Sequence, residues 1–172
     1  MKMKRNAALF LAVLMLFSAV FSTGAAAASS SGGFKYRRIA STNNAAIMSV
    51  EEGSDIEKAQ ELTIPAVING LRVTIIDAGA FANNTVWKKI NLPDSVDTIG
   101  SSAFYGLSSL TEIKIPKKVV DVGSSAFANC TSLKSVDFSA STLTQLPMNM
   151  FSGCTSLNDV ILPSGLNTID EY

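Results

Sequence analysis

Histidine is absent from all 172 residues. Its absence excludes Ser-His and Cys-His catalysis and every His-containing metal site. Cysteine is scarce. Two cysteines cannot build a structural zinc site and are too few for a disulfide framework. Charge is sparse too, at 16% of residues, and balanced, with 14 Lys plus Arg against 14 Asp plus Glu. Without a basic excess, nucleic acid is not an expected partner. The chain also lacks a G-x-S-x-G elbow, a glycine-rich phosphate loop and a D-x-D-x-D-G calcium loop, so neither an enzyme nor a cofactor is expected. Asp77, Asp94, Asp97, Asp121, Asp137, Asp159 and Asp170 are scattered singly. They read as solvated surface, with a weak ion site as the alternative. What is abundant is apolar: 47% of residues are hydrophobic, enough for one domain with its own core and too much for a disordered chain.

Long apolar runs are also missing but for one. Lys2, Lys4 and Arg5 precede an apolar stretch from Ala7 to Phe21, then Ser22-Thr23-Gly24 and Ala25 to Ala28. A basic start, a short apolar core and small residues at A-x-A spacing predict a secretory signal peptide over residues 1–28. The run is shorter than the roughly 20 residues a membrane span needs, which makes an uncleaved anchor the weaker alternative. After cleavage 11 basic and 14 acidic residues remain, leaving a mildly acidic exported chain with no membrane-binding segment. Residues 29–33, Ser-Ser-Ser-Gly-Gly, read as a flexible leader.

Beyond the leader the sequence repeats. Phe81, Phe104, Phe127 and Phe151 follow one another at intervals of 23, 23 and 24 residues. Ala80, Ala103 and Ala126 precede the first three, and Met150 precedes the fourth. Proline follows Ile or Leu at Pro65, Pro93, Pro116 and Pro163, whereas Phe138-Ser139 fills that place in one repeat. The unit is complete from Leu110 to Leu133: Leu110, Ile113 and Ile115 form L-x-x-I-x-I, then come Pro116, Val119, Val122, Ala126-Phe127 and Cys130. One such unit cannot bury its apolar side alone, but stacked units share a continuous core. The pattern predicts an inward Leu110, Ile113 and Ile115, strands of successive units pairing in parallel, and proline ending each strand. Ser101-Ser102 and Ser124-Ser125 sit where helix N-caps would, so a short helical turn is expected before each phenylalanine.

L-x-x-I-x-I-P, V-x-x-I-G and A-F-x-x-C-x-S-L together resemble the bacterial surface-antigen (BspA-like) class of leucine-rich repeats. The match is closest in residues 110–116 and 126–133. The resemblance implies an α/β solenoid: a curved, right-handed stack of coils with a parallel β-sheet, on a secreted or cell-surface protein that contacts other proteins. The repeats are expected over residues 62–172, about four coils with the last incomplete. Trp87 where leucine is usual, and Asn84 and Leu107 at the cysteine place, depart from the family and read as tolerated core swaps.

Residues 34–61 do not fit the repeat. Two strands, residues 36–40 and 45–50, flank a Ser41–Asn44 turn and predict a β-hairpin cap over the first coil. Asn69-Gly70 adds a surface turn. At the other end, residues 163–172 follow residues 93–102 place by place, and the expectation is that residue 172 is not a natural end of the fold or that a partner covers it. Cys130 and Cys154 share one place in adjacent repeats; two buried thiols and a disulfide both remain open.

The outward places of the strands form the candidate surface: Lys88, Lys89 and Asn91; Thr111, Glu112 and Lys114; Lys134, Ser135 and Asp137; Asn158, Asp159 and Ile161. An extended, regular face suits an extracellular protein partner. A glycan partner or a spacer role in a longer surface protein is the rival, and a face that only keeps the stack soluble is the plainest reading.

Overall fold

The computed structural model describes residues 28–170. The expected export signal therefore lies outside the described residues except for Ala28. Fourteen strands and one helix are present among the described residues, in the order β1 (Ser29–Ser31), β2 (Phe34–Arg38), β3 (Asn44–Val50), α1 (Asp55–Lys58), β4 (Glu61–Thr63), β5 (Val67–Ile68), β6 (Leu71–Ile76), β7 (Lys89–Asn91), β8 (Thr98–Ile99), β9 (Glu112–Lys114), β10 (Asp121–Val122), β11 (Ser135–Asp137), β12 (Gln145–Leu146), β13 (Asp159–Ile161) and β14 (Thr168–Ile169).

Five repeats, one more than expected, each contribute one strand to each of two ladders. β4, β7, β9, β11 and β13 lie side by side in a first, all-parallel sheet. β6, β8 and β10 pair in parallel in a second sheet, while β12 and β14 form a separate parallel pair. The core runs between the two sides. Ile64, Ile115 and Phe138 from behind the first-sheet strands, and Ile76, Ile99 and Val122 from the second sheet, are all buried. Phe81, Phe104 and Phe127 stack along the core, with centroids 5.6 and 5.2 Å apart and planes 16° and 7° from parallel. That offset-stacked spacing is favourable for aromatic pairs and adds to their burial.

Three expectations change. Short helical turns do not form before the phenylalanines. Ser102 and Ser125 instead take φ of 55° and 57°, a left-handed conformation that cannot start a right-handed helix. The reason lies in the hydrogen bonding: the N–H groups of Ser102, Phe104 and Gly106 reach across to the carbonyls of Ser124, Ala126 and Ala128 in the next repeat. A helical turn would turn those donors back on its own strand. Residues 29–33 are not a flexible leader. β1 pairs antiparallel with β2, Ser29 opposite Tyr36, and Gly32-Gly33 makes the turn with φ of 58° and 79°. Finally, the V-x-x-V places build a second ladder that two-residue strands hide from any reading of alternation.

β2 and β3 form an antiparallel hairpin. β3 then pairs in parallel with β6, so this hairpin closes the open edge of the second sheet, which unpaired backbone would otherwise expose. Asn69 and Gly70, at φ of 47° and 78°, make the tight turn between β5 and β6, and Asn69 Nδ2 donates to Tyr36 Oη at 2.7 Å. Arg37 on β2 makes a bidentate pair with Asp77, at 2.8 and 2.7 Å. That bond, set against partial burial, holds the guanidinium charged.

Candidate functional site

The first sheet brings the twelve sequence-derived residues onto one face in three columns. Glu112 lies opposite Lys89 and Ser135, and Ser135 opposite Asp159. Lys114 lies opposite Asp137, and Asp137 opposite Ile161; Asn91 holds the same place on β7, where it pairs with Thr63 and not with Lys114. The third column, Lys88, Thr111, Lys134 and Asn158, precedes the strands and is tied by the backbone: each N–H from Thr111 onward donates to the carbonyl of the residue before it in the column, at 3.1, 2.8 and 3.1 Å. Side chains at alternate strand positions must share a face, so Ile90, Ile113 and Val136 between the columns point inward and are buried.

Glu61 and Thr63 extend this face by one repeat and were not among the twelve. Asn91 Nδ2 donates to Glu61 Oε1 at 2.7 Å and to Thr63 Oγ1 at 3.0 Å, and Lys89 Nζ lies 3.6 Å from Glu61. The signal was available in Leu62-x-Ile64-Pro65, which matches Ile113-x-Ile115-Pro116. The Asn91 bond, then the Lys89 charge, hold the Glu61 carboxyl below the usual range. Lys114 Nζ reaches Asp137 at 3.7 Å. Asp137 also accepts the Ser139 N–H at 2.8 Å; hydrogen bonds from Ser139, more than Lys114, hold its carboxyl low. Between these pairs lies a depression of about 260 Å³, lined by Lys89, Asn91, Glu112, Lys114, Ser135 and Asp137 over Ile90 and Ile113. Its lining is charged and self-paired, and the described residues hold no group of three or more Cys, Asp or Glu placed to bind a metal. The arrangement can recognise a surface by charge and hydrogen bonding. It carries no nucleophile–base pair.

The two departures in the first repeat have a job. Trp87 is 2% exposed, and its Nε1–H donates to the Ile56 carbonyl in α1 at 2.8 Å. Asn84 Nδ2 donates to the Glu57 carbonyl at 3.1 Å, while its Oδ1 accepts the N–H groups of Val86 and Trp87 at 2.8 and 3.0 Å. These side chains dock the α1 segment onto the stack, satisfying backbone carbonyls at the end of a helix too short to satisfy them itself. The later repeats put Leu107 and Cys130, both fully buried, in the Asn84 place.

Both cysteines are free thiols. Cys130 donates to the Phe104 carbonyl at 3.1 Å and Cys154 to the equivalent Phe127 carbonyl at 3.0 Å. The interaction between the two sulfurs pushes the Cys130 thiol up, helped by burial, and draws the Cys154 thiol down.

Comparison with known proteins places this arrangement. Residues 74–172 match the BspA type leucine rich repeat region, in 6 copies. A leucine-rich repeat protein from Eubacterium ventriosum is 29% identical, with a TM-score of 0.56 over 78% of this chain and 39% of its own. A leucine rich cell surface protein from Faecalibacterium prausnitzii is 22% identical, with a TM-score of 0.58 over 80% of this chain and 40% of its own. The pneumococcal vaccine antigen PcpA shares the fold at 20% identity, with a TM-score of 0.62 over 86% of this chain and 47% of its own. The chain thus spans less than half the length of these three structures. No curated protein matches. No helix among the described residues is long and apolar enough to cross a membrane. With the repeat matched over more than half its length, this chain belongs to the BspA-type leucine-rich repeat family.

Proposed function

We propose that the repeats wind into a curved, right-handed solenoid on an exported protein, and that the outer face of the first sheet binds another protein at a cell surface. The observation that carries this reading is the register of that face: five parallel strands, from β4 to β13, align their outward side chains, over three residues at each junction except β7–β9, where Lys89 and Glu112 alone pair. Regular, extended faces of this kind suit macromolecular partners more than small molecules. Catalysis has no place in the reading, because the chain has no histidine and the face presents no activated nucleophile. Export rests on the basic, short apolar N-terminus, and surface location also on the F. prausnitzii relative, described as a leucine rich cell surface protein.

One observation favours a plainer role. The ion pairs Lys89–Glu61 and Lys114–Asp137 neutralise much of the face from within, as a solvated spacer would. Glycan binding is weaker still, since flat aromatic platforms are its usual means and Trp87 is turned inward. The test is capture from arrays of extracellular proteins and of glycans, using the processed chain and the variant Lys88→Ala/Lys114→Ala/Asp137→Ala. All three side chains sit on the outer face, so the variant is expected to fold. A protein captured by the parent and lost with the variant supports the reading. Binding to glycans alone, or to nothing on either array, replaces it with the glycan-contact or the spacer role.

A further inference from the structure

The fourth repeat breaks a rule that its neighbours keep. In the second, third and fifth repeats the second-sheet backbone is tied to the repeat before it: Asp97 to Thr74 and Gly100 to Ile76; Val120 to Asp97 and Gly123 to Ile99; Asn167 to Thr144 and Asp170 to Leu146, all N–H to carbonyl at 2.8 to 3.0 Å. The equivalent places in the fourth repeat are Thr144 and Pro147, and Pro147 has no N–H. Among the described residues neither reaches the third repeat, and β10 and β12 do not pair. A Thr142 N–H to Val119 carbonyl contact at 3.4 Å is what remains there.

Two features of the sequence cause the break. Four residues, Ser139 to Thr142, separate Phe138 from Leu143, where three separate Ile115 from Val119. The extra residue displaces β12 from β10, and the ladder resumes just beyond Pro147, where the N–H groups of Ser125, Phe127 and Asn129 donate to the carbonyls of Met148, Met150 and Ser152 at 3.1, 3.1 and 2.7 Å. The extra residue also replaces the proline corner with side-chain turns, in which Ser139 N–H donates to Asp137 and Ser141 Oγ to the Phe138 carbonyl. The second cause is Pro147. It stands in the place of Gly100 and Gly123, where repeats approach so closely that a Cβ on Gly100 would lie 2.5 Å from the Ala78 nitrogen and one on Gly123 would fall on the Ser101 nitrogen. A proline ring cannot enter that space, and it has no N–H to give the Val122 carbonyl.

The core stays stacked across the junction, with Phe127 and Phe151 6.0 Å apart and 18° from parallel against 5.6 Å and 16° for Phe81 and Phe104. A cleft of about 220 Å³ opens at the surface, lined by residues of both repeats from Val120 to Pro147. Yet the first sheet runs through the same junction intact, with β11 paired over three residues to β9 and three to β13. The first-sheet side and the phenylalanine side are continuous, and the β10–β12 side alone is cut.

We infer that this seam is a hinge: the fourth and fifth repeats flex against the first three about the continuous first-sheet and phenylalanine sides while the cleft between β10 and β12 opens and closes. Such a motion changes the curvature of the outer face without breaking its columns, which lets one scaffold fit partners of different shape. It goes beyond the binding reading and stands without it.

Two measurements on the full chain test it. In amide hydrogen exchange, Thr144 and Gln145 are expected to exchange at least about tenfold faster than Asp97 and Asn167. Fraying from the end of the stack gives the opposite order, with Asn167 and Thr168 fastest and the first-sheet amides of Ser135 and Asp159 loosened equally; that order overturns the hinge. The second is the distance distribution between spin labels on a Cys130→Ala/Cys154→Ala background. Labels at Thr98 and Thr168 span the seam on the cut side, and labels at Lys89 and Asp159 span the same repeats on the continuous side. The cut side is expected to be broader. Exchange of Ser139–Thr142 for the Pro-Lys-Lys of the third repeat, with Pro147→Gly, is expected to narrow it to the first-sheet width. Equal widths in the unaltered chain overturn the proposal without reference to whether the repaired variant folds.

Discussion

Leu62 and Val160 occupy the same inward place at opposite ends of the first sheet, and their surroundings differ. Leu62 is fully buried, below a cap made by β2, β3 and the α1 segment, whereas Val160 is partly exposed. The contrast runs through every core column. At the second-sheet place Ile76 and Ile99 are 0% exposed, and Ile169 is 58% exposed. At the place behind the first sheet, Ile115 and Phe138 are 0% exposed and Leu162 is 45% exposed. One repeat sequence gives a core residue or a surface residue according to whether another layer covers it. Burial in a repeat protein therefore belongs to the interface between units and not to the unit.

The largest test of that comparison lies in the phenylalanine stack. Phe127 is fully buried between two other rings, and Phe151 is only partly buried. Phe127→Ala is expected to cost about 3–5 kcal/mol, and Phe151→Ala clearly less, because Phe151 is only partly buried. Chemical denaturation midpoints decide it, and equal losses would show that burial here is set within the repeat. Asp121→Ala, on the outside of the third repeat, serves as the reference at under about 0.5 kcal/mol.

The second test uses the aliphatic column. Ile99→Ala is expected to cost about 2–5 kcal/mol. Ile169→Ala, at the identical place in the motif, is expected to fall within about 0.5 kcal/mol of the parent. A similar cost at both positions would show that exposure at this place does not set the loss.

The third test acts on the sealed end. Trp87→Phe keeps most of the packing but leaves the Ile56 carbonyl without its donor, an expected loss of about 1–3 kcal/mol. Its signature is local: amide exchange should quicken in residues 54–58 and leave β9 and β11 unchanged. Uniform loosening along the stack would mean that Trp87 acts only as core filling.

How much of this was legible follows from what each signal depends on. The columns of the first sheet could be read because three-residue strands flanked by Leu110 and Pro116 repeat their chemistry at a fixed interval. The hairpin and the Asn69-Gly70 turn could be read because they rest on local backbone preference. The second sheet could not, since Thr98-Ile99 or Asp121-Val122 is too short to alternate. Nor could the docking role of Asn84 and Trp87, which appears only when α1, some thirty positions upstream, folds against them. The serines before each phenylalanine misled for a related reason: capping preference is local, but their backbone donors are claimed by the neighbouring repeat. The seam was half visible. The missing proline and the interval of 24 residues were plain, while the meaning of Pro147 needed the close approach at Gly100 and Gly123.

The smallest expected effect concerns the two ion pairs on the outer face. Glu61 sits in the first repeat, next to the cap, and Asp137 in the fourth, beside the seam. In the folded chain both carboxyls are held below the usual range, Glu61 by Asn91 and then Lys89, Asp137 by Ser139 and then Lys114. The unfolded chain releases them to ordinary values, so it binds protons first as pH falls. Their contribution is therefore complete above the ordinary carboxylate range and is lost as pH drops through it toward the lowered folded values. Both groups lie at the surface, so solvent and salt screen the Lys contributions strongly. Asp137→Asn removes the titration and the charge but leaves an oxygen for the Ser139 N–H. The thermal midpoint of the parent should exceed that of Asp137→Asn slightly near neutral pH and converge with it in acid. Added salt should remove only part of the neutral-pH gap, because the Ser139 bonds rank above the Lys114 charge. Glu61→Gln should behave likewise, with the larger share left to Asn91. A gap that widened in acid would contradict a lowered Asp137 carboxyl, and one that vanished entirely in salt would make Lys114 its main partner.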